Sequence, residues 1–223
     1  MRTDTTLRND IMAELNWDPA IRHEDIAVAV HGGVITLAGT VNSYAQRYAA
    51  ERAAERVVGV RAIANDLIVK LPGAMVRSDA DLAHAAVNAL QWDIQVPADQ
   101  IKVKVTDGWV TLDGEVNEYY QRTAAERAIR QLTGLKGVVN QIQLRVMAAP
   151  ADIKQRIHTS LVRHAALDAD QIEVRTTGSH VTLSGIVASV AERRNAESVA
   201  WKAPGVTSVI NDITVSPLIL TGV

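Results

Sequence analysis

Three pairs of oppositely charged residues recur along the chain, each with an arginine four residues before a glutamate. They are Arg47/Glu51, Arg122/Glu126 and Arg193/Glu197. At this spacing the two side chains share a helix face, where they either face a charged ligand or stabilise the helix by about 0.2–0.5 kcal/mol. Because structural pairs recur in every copy of a duplicated scaffold while binding sites seldom do, we favour the structural interpretation, in which each pair orients its helix.

Exposed aromatic side chains are the next candidates for a functional surface, since tyrosine and tryptophan suit a membrane–water interface. Tyr48, Trp109 and Tyr120 align with polar or small residues elsewhere in the repeated sequence. They are therefore candidate contacts for a membrane or a partner. Packing between neighbouring repeats is the alternative.

Other aromatic residues occupy matching positions in different repeats. Tyr44 and Tyr119 align with Val190, which indicates a core position. Trp17 and Trp92 align with each other at the end of a predicted helix. We predict that both tryptophans are structural anchors.

The residue types that perform catalysis or bind metals are absent or scattered. The chain has no cysteine, and its six histidines occupy no equivalent positions and lack metal-ligand spacing. No serine lies in a G-x-S-x-G setting, and the glycines do not form a G-x-G-x-x-G loop at the start of a helix. The sequence predicts no enzyme, no metal site and no cofactor.

The bulk composition restricts the possible partners. The 223 residues carry a formal net charge of −2, and the calculated pI is about 6.3. A nucleic-acid-binding protein would need a clustered basic face, so that class is not expected. The N-terminal residues lack the apolar segment of a signal peptide, and no stretch approaches the roughly 20 apolar residues of a membrane span. As written, the sequence predicts a cytoplasmic protein, or a periplasmic one if a leader was removed.

The chain is organised by one motif, V-x-V-x-x-G-x-V-T-L-x-G-x-V, which occurs three times. It is clearest from Val103 to Val116. A shift of 75 residues aligns Val28 with Val103, and a shift of 71 aligns Val103 with Val174. The agreement extends over the whole length of each repeat, which indicates three complete domains. We call them copies 1, 2 and 3.

Each copy predicts the order helix, strand, strand, helix, strand. Apolar residues at intervals of four, such as Leu7, Ile11 and Leu15, predict a first amphipathic helix. Alternating residues with a glycine-containing turn predict a hairpin. The second helices are predicted over roughly 42–58, 117–132 and 188–203, and the last strands over 60–69, 135–144 and 206–215. Two helices on one face of a three-stranded sheet, an α+β fold, would bury these patterns.

These residues resemble the BON domain family (bacterial OsmY and nodulation), present three times. The hairpin motif, an alanine-, glutamate- and arginine-rich helix, and an Asn before Ile-x-Val carry the resemblance. Glycines at the family's turn and cap positions are Gly33, Gly39, Gly59, Gly108, Gly114, Gly134, Gly185 and Gly205. Ser179 replaces the turn glycine in copy 3, and Gly178 stands one place earlier. We interpret this as a changed turn type within the same fold.

The resemblance implies three tandem αββαβ domains with mixed sheets, at 1–72, 76–147 and 150–216, followed by an apolar tail at 217–223. It also implies a non-enzymatic, transport-associated or stress-associated protein that binds phospholipid surfaces or other envelope proteins. The alternative is a protein–protein interaction or self-assembly module, giving a homo-oligomer with no lipid affinity. The tail adds Leu218, Ile219 and Leu220 to the candidate membrane or partner contacts.

Overall fold

The computed structural model describes residues 3–145, 152–163 and 169–216. The elements of copy 1 are α1 (Asp4–Trp17), β1 (Ile26–His31), β2 (Val34–Val41), α2 (Tyr44–Arg56) and β3 (Ala62–Val69). Those of copy 2 are α3 (Asp79–Trp92), β4 (Ile101–Thr106), β5 (Trp109–Val116), α4 (Tyr119–Arg130), β6 (Gly137–Asn140) and β7 (Gln143–Leu144). Those of copy 3 are α5 (Ile153–Val162), β8 (Ile172–Thr177), β9 (His180–Val187), α6 (Val190–Trp201) and β10 (Ser208–Val215). The α+β order predicted from the sequence is confirmed in each copy.

The first helices form where the apolar spacing predicts them. Leu7, Ile11 and Leu15 form the buried stripe of α1, and α3 and α5 bury their equivalents. The hydroxyl of Thr3 accepts a hydrogen bond from the Thr6 amide and caps α1, and Ser78 caps α3 in the same way. The second helices are shorter than the predicted ranges by about two residues at each end.

Each sheet has the second hairpin strand at its centre. In copy 1 the order is β1-β2-β3, with β1 and β2 antiparallel. In copy 3, β9 pairs antiparallel with β8 and parallel with β10, which is the mixed sheet expected of an αββαβ unit. In copy 2 the third strand is interrupted, and its two segments β6 and β7 both run parallel to β5.

The hairpin turns explain why a serine is tolerated in copy 3. Gly32 and Gly33 both have positive φ in copy 1, as do Asp107 and Gly108 in copy 2, the pattern of a type I′ turn. In copy 3 only the first turn residue, Gly178, has positive φ. The second position no longer requires glycine, so Ser179 fits a changed turn within an unchanged hairpin.

The cores are aliphatic and small. Because the chain has no phenylalanine, the largest fully buried side chains are leucines and isoleucines. The second helices bury alanines, such as Ala50 and Ala54 in α2 and Ala124 and Ala125 in α4. An alanine surface lets these helices approach the sheet closely.

The chain splits into two compact units. One contains copy 3 together with the parts of copy 1 up to Gly39 and at Ala49–Asp66. The other contains copy 2 together with Thr40–Tyr48 and the end of copy 1 from Leu67. None of the helices in the described ranges is long and apolar enough to cross a membrane.

Candidate functional site

The recurring glutamates lie where each second helix meets the third strand of its own copy. The Nδ2 group of Asn65 donates to Oε2 of Glu51 at 2.8 Å, and Asn140 donates to Glu126 at 3.2 Å. In copy 3 the same bond, between Asn211 and Glu197, measures 3.1 Å. We call this contact the helix–strand tie.

Backbone groups complete the helix–strand tie. The Asn140 amide also donates to the carbonyl of Arg122 at 3.1 Å and accepts from the amide of Ile142 at 3.2 Å. In copy 3, Arg193 donates back to the carbonyl of Asn211 at 2.7 Å. Each recurring arginine–glutamate segment is therefore bonded to the sheet of its own copy, which supports the structural interpretation. The asparagines that bind these glutamates also recur at equivalent positions in the three copies, and this recurrence is the sequence feature that identifies them.

A different contact joins copies 1 and 2 within one unit. The guanidinium of Arg130 lies over the ring of Tyr48, 3.5 Å from the centroid, and Tyr44 packs against the core of copy 2. The alignment gives Thr123 and Arg194 as the equivalents of Tyr48, and Glu55 as the equivalent of Arg130. Tyr48, proposed from sequence as a membrane or partner contact, thus lies half-buried beside a neighbouring copy.

The equivalent positions also meet where copy 1 contacts copy 3 in the other unit. Oε2 of Glu55 accepts from Nη1 of Arg194 in α6 and from Nη1 of Arg52 in its own helix, both at 2.8 Å. Glu55 is only 3% exposed. Burial raises the pKa of its carboxyl above the ordinary value, and the guanidinium groups of Arg194 and Arg52 offset part of that shift. Little in the sequence distinguishes Glu55, because it lies in an alanine-, glutamate- and arginine-rich helix whose composition is typical of a solvated surface.

The remaining candidates differ in exposure. Trp109 is 42% exposed, and its ring occupies the space that a Cβ on Gly137 would take. Tyr120, in the first turn of α4, is 52% exposed. Leu218, Ile219 and Leu220 lie outside the described residues.

The most exposed aromatic residues are the two that the sequence suggested were anchors. Trp17 is 83% exposed and Trp92 is 88% exposed, at the C-terminal ends of α1 and α3. Ile94, two residues after Trp92, is fully exposed. The prediction of structural anchors is wrong, because each ring lies beyond the last buried turn of its helix. Their alignment with each other does mark a shared feature, which is exposure at the end of the first helix.

Trp17 borders a groove of about 480 Å³ in copy 1. Asp10 and Glu14 line the groove from α1, and Arg56 lines it from the end of α2. Arg56 donates through Nε and Nη2 to Oε1 of Glu14, at 3.0 and 2.9 Å. An exposed aromatic ring, two carboxylates and a guanidinium therefore share one open site.

In the described part of the chain, no other groove combines an exposed aromatic ring with charged side chains in this way. A groove of about 660 Å³ in copy 3 is lined by residues that include Lys154, His158 and Glu173, but Glu173 is exposed and already paired with Arg175. Within the described ranges, no group of three or more histidine and carboxylate residues is arranged to hold a metal ion.

Comparisons with known proteins agree with these observations. The BON domain family profile matches residues 3–70, 78–146 and 150–217. Osmotically-inducible protein Y of Escherichia coli (strain K12) is 32% identical over 145 residues, which cover 63% of this chain and 72% of that protein. An uncharacterized protein in the gshII 5′ region of Anaplasma centrale is 31% identical over 118 residues, which cover 50% of this chain and 78% of that protein.

Among solved structures, the C-terminal domain of CdsD, the structural protein of the type III secretion system of Chlamydia trachomatis, aligns over 97% of this chain and all of that one. The TM-score is 0.27 and the sequence identity 12%, so this likeness carries no argument. The three profile matches span most of the sequence and coincide with the three repeated αββαβ units. The chain therefore belongs to the BON domain family, as an OsmY-like protein with three tandem copies of the domain.

Proposed function

We propose that this protein is a non-catalytic binding protein that associates with phospholipid surfaces, using Trp17 and Trp92 as its points of contact. The observation that carries the proposal is the equivalent placement of two almost fully exposed tryptophans at the ends of α1 and α3. Tryptophan favours the interface between water and lipid, where its ring is apolar and its N–H group stays hydrated. The name of the relative, Osmotically-inducible protein Y, suggests a role in osmotic stress.

Charge does not drive this association. The formal net charge is −2, whereas attraction to anionic lipid requires a basic surface. Burial of aromatic and aliphatic side chains is then the main contribution, with Ile94 adding apolar area next to Trp92. The binding should accordingly depend weakly on salt concentration.

Vesicle flotation tests the proposal. The double variant Trp17→Ala/Trp92→Ala should bind phosphatidylcholine vesicles at least about tenfold more weakly than the parent protein, since two interfacial side chains are lost. Trp109→Phe is the matched control, because the Trp109 ring already packs over Gly137, and it should bind like the parent. Absence of vesicle binding by the parent, or equal binding by the double variant, would refute the proposal. Light scattering on the same samples detects the alternative, self-assembly without lipid.

A further inference from the structure

Four side chains with polar or aromatic groups line the groove in copy 1. Asp10, Glu14 and Trp17 are spaced by four and three residues along α1, so they share one face of the helix. Arg56 approaches that face from the last turn of α2. The Glu14 pair engages two of the three guanidinium nitrogens, and a guanidinium offers five N–H donors in all.

Copy 2 keeps the tryptophan and replaces the charges. The repeat aligns Trp17 with Trp92, whereas Asp10 and Glu14 align with Ala85 and Ala89, and Arg56 aligns with Gln131. Both tryptophans are exposed to a similar extent. The charged groove is therefore not required to build the domain or to expose the tryptophan, and its chemistry is particular to copy 1.

We propose that the groove lined by Asp10, Glu14, Trp17 and Arg56 binds a zwitterionic amine–phosphate group, of the kind found in phosphocholine and phosphoethanolamine. The proposal rests on the proposed function for its lipid source, and it deepens that function by naming the head group.

The charges of the groove and of this ligand class are complementary. A cationic amine is attracted to the face of a tryptophan ring and to carboxylates, which Trp17, Asp10 and Glu14 supply. A phosphate accepts charge-assisted hydrogen bonds from a guanidinium, which Arg56 supplies. In the Arg56–Glu14 pair, the guanidinium is complementary to the phosphate of the ligand and the carboxylate is complementary to its amine. Phosphatidylglycerol has a phosphate but no amine, so it would leave both carboxylates facing an anion.

The experiment uses the full chain and the soluble head group phosphocholine. The four tryptophans give separate indole N–H signals in an NMR spectrum, and Trp17→Phe identifies the signal of Trp17. Phosphocholine should shift that signal in a saturable manner, while choline alone and inorganic phosphate alone should bind at least about tenfold more weakly, since each lacks one of the two contacts. The Trp92 signal should not respond.

The variant Asp10→Ala/Glu14→Ala/Arg56→Gln gives copy 1 the residues that copy 2 carries at these positions. It should retain Trp17 and lose phosphocholine affinity by about tenfold or more. Arg127→Gln is the matched control in copy 2, where Arg127 is paired with Asp93, and it should bind phosphocholine like the parent. The single variant Glu14→Gln gives the same test with less risk to folding, and a weaker loss is expected.

Vesicles separate the two sources of the ligand. Phosphatidylcholine vesicles should bind more tightly than phosphatidylglycerol vesicles, and the triple variant should lose that preference while keeping the binding that depends on Trp92. If phosphocholine does not shift the Trp17 signal, the groove proposal fails even where vesicle binding through tryptophan persists. If the soluble head group binds and vesicles do not, the groove proposal stands for a soluble amine–phosphate and the proposed function fails.

Discussion

The second helices α2, α4 and α6 make two kinds of polar contact, and comparing them separates what the domain needs from what the whole chain needs. The helix–strand tie has the same asparagine and glutamate in all three copies. The contacts between copies use one pair of aligned positions with different chemistry: Tyr48 with Arg130 in one unit, and Arg194 with Glu55 in the other.

The difference shows that contacts needed for the fold of each copy recur in all three, whereas contacts between copies use different residues. Each copy must attach the same helix to the same strand, so the same polar groups recur. A contact between copies needs only complementarity with one neighbour, and a cation–π pair and an ion pair both provide it. Different chemistry at the two contacts also discourages a copy from docking on the wrong neighbour.

The features that recur in all three copies include backbone geometry as well as the helix–strand tie. A substitution that disturbs this backbone geometry should have the largest effect. Gly39 has a φ of +124°, and a Cβ placed there would meet the carbonyl oxygen of Asp25 at 2.0 Å. Gly39→Ala should therefore destabilise copy 1 by about 3 kcal/mol or more, measured by hydrogen exchange of copy 1 amides.

Gly32→Ala is the control for that measurement. Gly32 also has positive φ, at +57°, but no atom lies within 4 Å of the added Cβ. It should cost only about 1–2 kcal/mol. Equal effects at the two glycines would show that the close approach to Asp25 does not matter.

The next largest effect should come from the helix–strand tie. Asn140→Ala removes hydrogen bonds to Glu126, to the Arg122 carbonyl and from the Ile142 amide. We expect the free energy of unfolding of copy 2 to fall by about 2 kcal/mol, and urea denaturation measures this loss. Asn88→Ala, on the exposed face of α3, should change it by no more than about 0.5 kcal/mol. If Asn140→Ala lowers the free energy of unfolding no more than Asn88→Ala does, the helix–strand tie does not stabilise the domain. Its recurrence in the three copies would then not have a structural cause.

Most of the fold could be predicted because it depends on local patterns written three times. Period-four stripes such as Leu82, Ala86 and Leu90 gave the helices, and the glycine turns gave the hairpins. The interruption between β6 and β7 could not be predicted from the copy 2 sequence, since it keeps the apolar alternation through Ile142.

The candidate sites were less accessible to sequence reasoning. Alignment identified Tyr48 as a divergent residue, but the sequence did not show that Arg130 from another copy lies over it. The alignment of Trp17 with Trp92 is visible in the sequence, but their exposure is not. A helical pattern of apolar residues shows which turns are buried and does not show whether the last side chain of the helix packs on the core. Contacts between residues distant in sequence, such as Glu55 with Arg194, depend on docking geometry that no local pattern encodes.

A smaller effect is expected from breaking one contact between copies. Arg194→Ala leaves the buried Glu55 carboxylate with Arg52 as its remaining cation in this cluster. Because Arg194 is itself partly exposed, we expect a loss of about 1–2 kcal/mol, detected as earlier exposure of α2 amides in hydrogen exchange. Arg175→Ala, which removes an exposed ion pair with Glu173, should leave the same amides unchanged. Coupling between Arg194 and Glu55 should appear in a double-mutant cycle with Glu55→Gln, and its absence would mean that the 2.8 Å contact is not energetically significant.

The smallest effect should be a pH dependence that distinguishes the two contacts between copies. Burial raises the pKa of Glu55 in the folded protein, so the folded state holds a proton that the unfolded state has already released. Between the ordinary glutamate pKa and the raised value, stability must therefore fall as the pH rises, and the full contribution is present only below the ordinary value. The stability of the parent relative to Glu55→Gln should accordingly fall from about pH 4 to pH 7. Tyr48→Phe serves as the comparison, since the cation–π contact contains no carboxylate, and its difference from the parent should be flat over this range. A parent that instead gains stability relative to Glu55→Gln as the pH rises would mean that Arg194 and Arg52 outweigh burial and that the carboxylate is held in its ionised form.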